Sequence, residues 1–194
     1  MLTVEKVGKV DLPAPDIFFG NDKMEVTDTD IYKSDQAFTQ GQMITVTGID
    51  NLNEWWIDPD FFEKQSDGAL KFLPINGDYR VTANAVLKYF SVMALKDGKP
   101  AKLQDDGTGA IWAIGKGIGK PSVTSSEVGW EPGKALCLAQ VASKKYQLTL
   151  KAGETLKTSG DPEVISFKFF HQNDWGGEFG NYASNTLVEQ LKLA

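Results

Sequence analysis

The chain has one cysteine and one histidine in 194 residues. With Cys137 alone, neither a disulfide framework nor a cysteine-built zinc site can form within one chain. Its setting, Lys134-Ala-Leu-Cys-Leu-Ala139, is apolar and places nothing basic directly beside it, which predicts a buried structural thiol. His171 cannot build a His-rich metal site, and the absence of a Gly-x-Ser-x-Gly elbow removes the usual frame of a Ser-His-Asp hydrolase. No apolar run reaches membrane-spanning length, so no membrane span is expected, and Met1 to Asp11 lacks an apolar leader core. A basic excess is missing too. The net charge of −6 opposes binding to nucleic acid or to an anionic membrane, since either needs a positive stripe to offset phosphate. Gly115-Lys-Gly-Ile-Gly-Lys-Pro-Ser122 has the wrong glycine spacing for a phosphate-binding loop, and no amphipathic helix follows it. It reads as a sharp bend, and no cofactor is expected.

What is present is a globular composition, 41% hydrophobic and 24% charged, distributed in short β-type runs. These include Met43 to Ile49, Leu70 to Leu73, Val86 to Met93, Ala110 to Ile114, Tyr146 to Leu150 and Ile165 to Phe169. Turn clusters at Asn76-Gly77-Asp78, Asp97-Gly98 and Asp106-Gly107 interrupt them, which predicts an all-β fold. Two short helices are expected, over Pro59 to Gln65 with Asp58 as N-cap and over Ser126 to Glu131. Leu187 to Leu193 could close the fold as a strand or a terminal helix. The polar stretch Lys96 to Gly109 divides the chain into two modules, 1–105 and 106–194, each the size of a small β-sandwich.

The densest set of binding-type residues lies in Ile165-Ser-Phe-Lys-Phe-Phe-His-Gln-Asn-Asp-Trp-Gly-Gly-Glu-Phe-Gly180. Strand alternation puts Ile165, Phe167 and Phe169 on a core face and turns Lys168 outward. Trp175 then falls in a glycine-flanked loop without apolar period. An exposed indole there would offer its flat face to a pyranose, with Asn173, Asp174, Glu178 and Lys168 as hydrogen-bonding neighbours. The opposing reading folds Trp175 back as a cap on the sandwich. Trp130, in Val128-Gly-Trp-Glu-Pro-Gly133, could supply a second face of the same platform. Trp112 lies within an apolar strand and is expected in the core, whereas the adjacent Trp55 and Trp56 should point to opposite sides. Glu178, Glu54 and Asp58 are the carboxylates that a glycoside hydrolase reading would use. Small sandwiches seldom supply the deep cleft such a reaction needs, so a non-catalytic surface is expected.

Residues Ile111-Trp-Ala-Ile-Gly115, Gly129-Trp130, Tyr146-Gln-Leu-Thr-Leu-Lys-Ala-Gly153, Phe167 to Phe170 and Trp175-Gly-Gly-Glu-Phe-Gly180 together resemble the sugar-binding domain of SusE/SusF-type proteins. Those are surface glycan-binding lipoproteins that accompany SusC/SusD-like outer-membrane importers. The resemblance spans roughly Ala110 to Asn185. Residues of the first half, Ile44 to Ile49 and Trp55-Trp56-Ile-Asp-Pro59, resemble the uncharacterised modules found beside such domains. It implies immunoglobulin-like sandwiches in tandem, polysaccharide or oligosaccharide capture at the outer-membrane surface, a SusC/SusD-like partner and no catalysis. The implied site is Trp130, Trp175, Lys168 and Asn173, to which the residue reading adds Glu178. Two departures stand out: the lipobox cysteine is absent, and the chain ends at Ala194, where such domains continue through a final hairpin. The second implies truncation or a different closure. The alternative is a structural or protein-binding adaptor whose tryptophans serve core or interface, since Trp is enriched at protein interfaces as well.

Overall fold

A computed structural model describes residues 15–158 and 165–179. The expected closing element over Leu187 to Leu193 lies outside them. The regular structure of the described residues is mostly strand, and the all-β expectation holds.

The first module rests on Ile31–Phe38, Gly77–Asn84 and Tyr89–Lys96, which pair antiparallel in one six-stranded sheet. Alternation buries Tyr32 and Phe38, then Tyr79, Val81 and Ala83, then Phe90 and Val92. On the outer face, Arg80 sits directly opposite Asp35 and grips it through two hydrogen bonds of 2.7 Å. That bond holds the Asp35 carboxyl below its ordinary range despite partial desolvation. Two three-stranded sheets cover the inner face, Asp22–Lys23, Phe18–Phe19 and Val46–Thr47 in one, Met43–Ile44, Leu70–Phe72 and Phe62–Lys64 in the other. Aromatic contacts join the layers: Phe19 meets Phe90 at 5.2 Å between centroids, and Phe72 meets Tyr79 at 4.9 Å.

Several elements differ from the sequence reading. No helix forms over Pro59 to Gln65. Phe61 and Phe62 donate their N–H groups to the Asp58 carbonyl for one turn, and the chain then extends as Phe62–Lys64 because Phe62 packs between Phe19 and Phe72. Burial of that ring overrides a weak local helix preference. Gly77 and Asp78, expected in a turn, begin the strand Gly77–Asn84 opposite Phe38 and Ala37. The turn lies instead around Val86, Leu87 and Lys88, so the next strand starts at Tyr89. No helix forms over Ser126 to Glu131 either; one turn of helix lies before it at Val123–Ser126, N-capped by Ser122, whose hydroxyl accepts from Ser125 N–H.

In the second module, Leu136–Cys137 and Ser166–Phe170 flank Trp112–Lys116. Trp112 is fully buried and donates its indole N–H to the Ala101 carbonyl. Phe170 is the buried residue of its strand, while Phe167 and Phe169 are only half-buried, so the core end of Ser166–Phe170 is its C-terminal one. Gly115 explains part of the glycine run. It pairs with Phe167, and a Cβ there would lie 2.2 Å from the Ser166 carbonyl oxygen.

The two modules share one continuous apolar core. Cys137 sits at their junction, its sulfur 3.5 Å from the Ala94 N–H, and burial pushes its thiol up to about 12. Beside it the glycine-rich bend delivers Lys120 to the first module. Lys120 Nζ lies 2.9 Å from both Asp58 oxygens and 2.6 Å from Asp60 Oδ2. The Lys120 and Asp58 side chains are each 7% exposed and that of Asp60 1%. From the second module, Thr149 N–H (2.7 Å), Thr149 hydroxyl (2.6 Å) and Gln147 Nε2 (2.8 Å) also donate to Asp60. Thr149 is thereby drawn out of strand pairing, which ends the expected strand over Tyr146 to Leu150 at Gln147. Desolvation pushes both carboxyls upward. At Asp58 it prevails and the group is raised; at Asp60 the Lys120 charge and the Thr149 donors outweigh it and the group is lowered.

Candidate functional site

Ser166–Phe170 continues past Phe170 into a closed loop and returns at Glu178 and Phe179. His171 N–H donates to the Gly177 carbonyl and Phe179 N–H to the Phe169 carbonyl, both within 2.9 Å. Gly176 and Gly177 take positive φ of 83° and 65°, which lets seven residues close the turn. Inside it, Gln172 Nε2 donates to the Trp175 carbonyl, and Asp174 Oδ1 accepts from the Trp175 N–H. These two bonds fix the backbone that carries the indole.

Trp175 is 52% exposed. It meets Phe170 edge-on at 5.9 Å and lies nearly parallel to Trp130, with centroids 6.3 Å apart and planes 20° from each other. That spacing is an offset stack. The sequence reading expected Trp130 as a second face of the same platform; the fold brings the two indoles together, but with Trp130 half-buried and stacked against Trp175. Trp130 reaches its place through an uncommon backbone: it has φ of 61° immediately after Gly129 at 59°. For a bulky residue this left-handed conformation costs about 1–2 kcal/mol, and such strain gathers at functional surfaces.

Lys168 and Glu178 lie on the strand face that bears Phe170, because Lys168 is two residues before it and Glu178 bridges to it across the hairpin. They pair at 3.0 Å, 54% and 49% exposed. Asn173 is half-buried, and its enclosed Oδ1 has no hydrogen-bond partner among the described residues.

The other sequence candidates lie apart from this group. Asp58 is engaged with Lys120 in the interior, and Glu54 is held by Lys88 and Asn51 on the first module. Trp55 is buried against Phe90 and Trp56 is half-buried, the division expected for neighbours in an extended segment. Two concavities, about 310 Å³ beside Gly20 and Gln36 and about 480 Å³ beside Pro59 and Phe62, belong to the first module. Neither is lined by Trp130 or Trp175. Sequence reasoning missed the Lys120 cluster. The signals were Asp58-Pro-Asp60, two acids flanking a proline before two phenylalanines, and a lysine at the end of a glycine run.

No curated protein and no solved structure matches the chain. Family models match both parts. Residues 10–103 match a domain of unknown function, DUF5125, which carries Asp58 and Asp60, and residues 106–191 match a second, DUF5121, which carries Lys120, Trp130 and Trp175. The chain is a DUF5125 domain followed by a DUF5121 domain, two tandem all-β modules.

Proposed function

We propose that the DUF5121 module is a non-catalytic carbohydrate-binding surface, with Trp175 as the stacking residue. Trp130 supports its indole, and Lys168, Glu178 and Asn173 supply polar contacts. The observation that carries this reading is the half-exposed Trp175 ring, held by its own loop and backed by a tryptophan in a strained backbone. A large, flat, rigid apolar face bordered by donors and acceptors suits the alternating C–H and hydroxyl surfaces of a pyranose. Both neighbouring carboxylates help build the surface: Asp174 caps Trp175 N–H and Glu178 holds Lys168. That favours binding over hydrolysis. With the SusE/SusF resemblance, the proposed role is glycan capture at the outer-membrane surface beside a SusC/SusD-like importer.

The test is affinity electrophoresis over a panel of soluble polysaccharides, wild type against Trp175→Ala. One glycan class should retard the wild type, and the substitution should weaken that binding by about 1–3 kcal/mol. Retardation that survives Trp175→Ala, or a wild type that no glycan slows, would overturn the reading.

A further inference from the structure

The junction cluster holds more acid than base. Among the described residues Lys120 is the only cation hydrogen-bonded to Asp58 or Asp60, and all three side chains are nearly sealed from water. An unbalanced buried charge is costly, so the site is neutral only when one carboxyl keeps a proton. The geometry says which. Asp60 accepts from Lys120, from Thr149 twice and from Gln147, whereas Asp58 accepts only from Lys120 and from the Asp60 N–H. Asp60 is therefore the anion and Asp58 the acid, and their opposite displacements from the ordinary carboxyl range agree. The Lys120 ammonium thus faces a neutral, electrophilic carboxyl, with a carboxylate beside both.

We infer that Lys120 Nζ condenses with Asp58 Cγ to form an intrachain isopeptide bond that covalently joins the two modules, with Asp60 as the proton relay. Nζ is equidistant from the two Asp58 oxygens at 2.9 Å, which by carboxyl geometry leaves Cγ within about 3.3 Å, close enough for attack once the carboxyl turns its face to Nζ. Asp60 Oδ2, 2.6 Å from Nζ, takes one ammonium proton and frees the lone pair. The C–N bond forms at Cγ and one C–O bond of Asp58 breaks. The departing oxygen leaves as water, carrying the carboxyl proton and a second amine proton, while the first stays on Asp60. No oxidant, metal or outside acyl donor is needed.

Two physical effects favour the step. Groups fixed in this way act at effective concentrations on the order of 10⁵ M or more. The product also exchanges a buried ammonium and carboxyl for a neutral amide, removing a desolvation penalty that an ion pair would retain. The Asp60 anchors account for the relay's position. Gly119, where a Cβ would stand 2.4 Å from the Ser126 carbonyl oxygen, accounts for how the chain brings Lys120 inward.

Intact-mass spectrometry of the purified full chain tests the inference. Wild type should weigh one water less than its sequence, and a proteolytic digest should yield one branched peptide joining the Asp58 and Lys120 segments. Lys120→Arg, which keeps the charge, should restore the full mass, with folding checked by circular dichroism. Asp60→Asn should also restore it. A wild type at full mass overturns the bond, leaving a salt bridge only. Water loss that persists in Lys120→Arg lies elsewhere and overturns it equally, and water loss that persists in Asp60→Asn overturns the relay.

Discussion

Lys120 and Lys168 both belong to the second module and both meet carboxylates at hydrogen-bond distance, yet they stand in opposite surroundings. Lys120 is closed in at the junction with two nearly sealed aspartates, whereas Lys168 and Glu178 lie about half in water. The Coulomb attraction is similar in kind. What differs is the solvent each group gave up. In the interior every polar atom must find a protein partner, so Asp60 collects donors from three residues; at the surface water supplies the remainder. The interior cluster therefore fixes how the modules dock, and the surface pair stays available to exchange partners with a ligand.

The largest expected effect is at Lys120. Lys120→Ala leaves two sealed carboxyls without their cation and should destabilise the protein by about 3–5 kcal/mol. For a chain of this length that lowers Tm by on the order of 10 °C, measurable by scanning calorimetry. A loss below about 1 kcal/mol would mean that the junction opens to water and that the contrast with Lys168 is false.

Thr149→Val is the next step down. It keeps shape but removes the hydroxyl that donates to Asp60 at 2.6 Å, for an expected loss of about 1.5–3 kcal/mol near neutral pH. The pH dependence has a definite sign. In the ion-paired cluster, before any Lys120–Asp58 bond forms, Asp60 is held below its ordinary value of 3.8, so stability drawn from its ionised form is present above that pH and lost as pH falls through the lower folded value. Denaturation curves of Thr149→Val and wild type should begin to converge only as pH falls below 3.8, and should meet below the lowered folded value. A gap that stays constant would assign the effect to packing.

The sequence disclosed these regions unequally for the same physical reason. Trp175 and its loop are contiguous: strand alternation, glycines and polar residues lie within sixteen positions, so the site's composition could be read directly. The approach of Trp130 needed the fold, yet its turn-former setting already pointed outward. The Lys120 cluster joins segments sixty residues apart, and its glycine run resembled a failed phosphate loop because the target, Asp58 and Asp60, lay in another module. The same blindness to tertiary partners produced the mistaken helix over Pro59 to Gln65, where burial of Phe62 decided the conformation. The strands Ile31–Phe38 and Gly77–Asn84 escaped because their outer faces are polar and carry Asp35 and Arg80.

Trp175→Ala sharpens the comparison on the surface side. The indole touches Trp130 and Phe170 but is half solvent-exposed, so its removal should cost about 1 kcal/mol of stability. Glycan affinity should fall more than stability does. If melting drops by as much as in Lys120→Ala while glycan retardation is unchanged, Trp175 is a cap of the sandwich and the two regions differ only in degree.

The smallest effects belong to Lys168. Its bond to Glu178 is exposed on both sides, and pairs of that kind contribute between zero and about 1 kcal/mol, so Lys168→Ala should leave Tm nearly unchanged. A stacked sugar derives most of its binding from neutral contact, so affinity should change by less than tenfold in Lys168→Ala. It should also change little between low and moderate salt. Affinity should rise with chain length instead, because an open surface captures each added sugar residue weakly, with dissociation constants about micromolar to millimolar. Calorimetric titration of an oligosaccharide ladder into both proteins measures all three. Salt that abolishes binding, or a Lys168→Ala loss larger than that of Trp175→Ala, would make Lys168 the anchor and the site an ionic one. The indole would then be the accessory, and the surface would obey the charge-pairing logic of the interior.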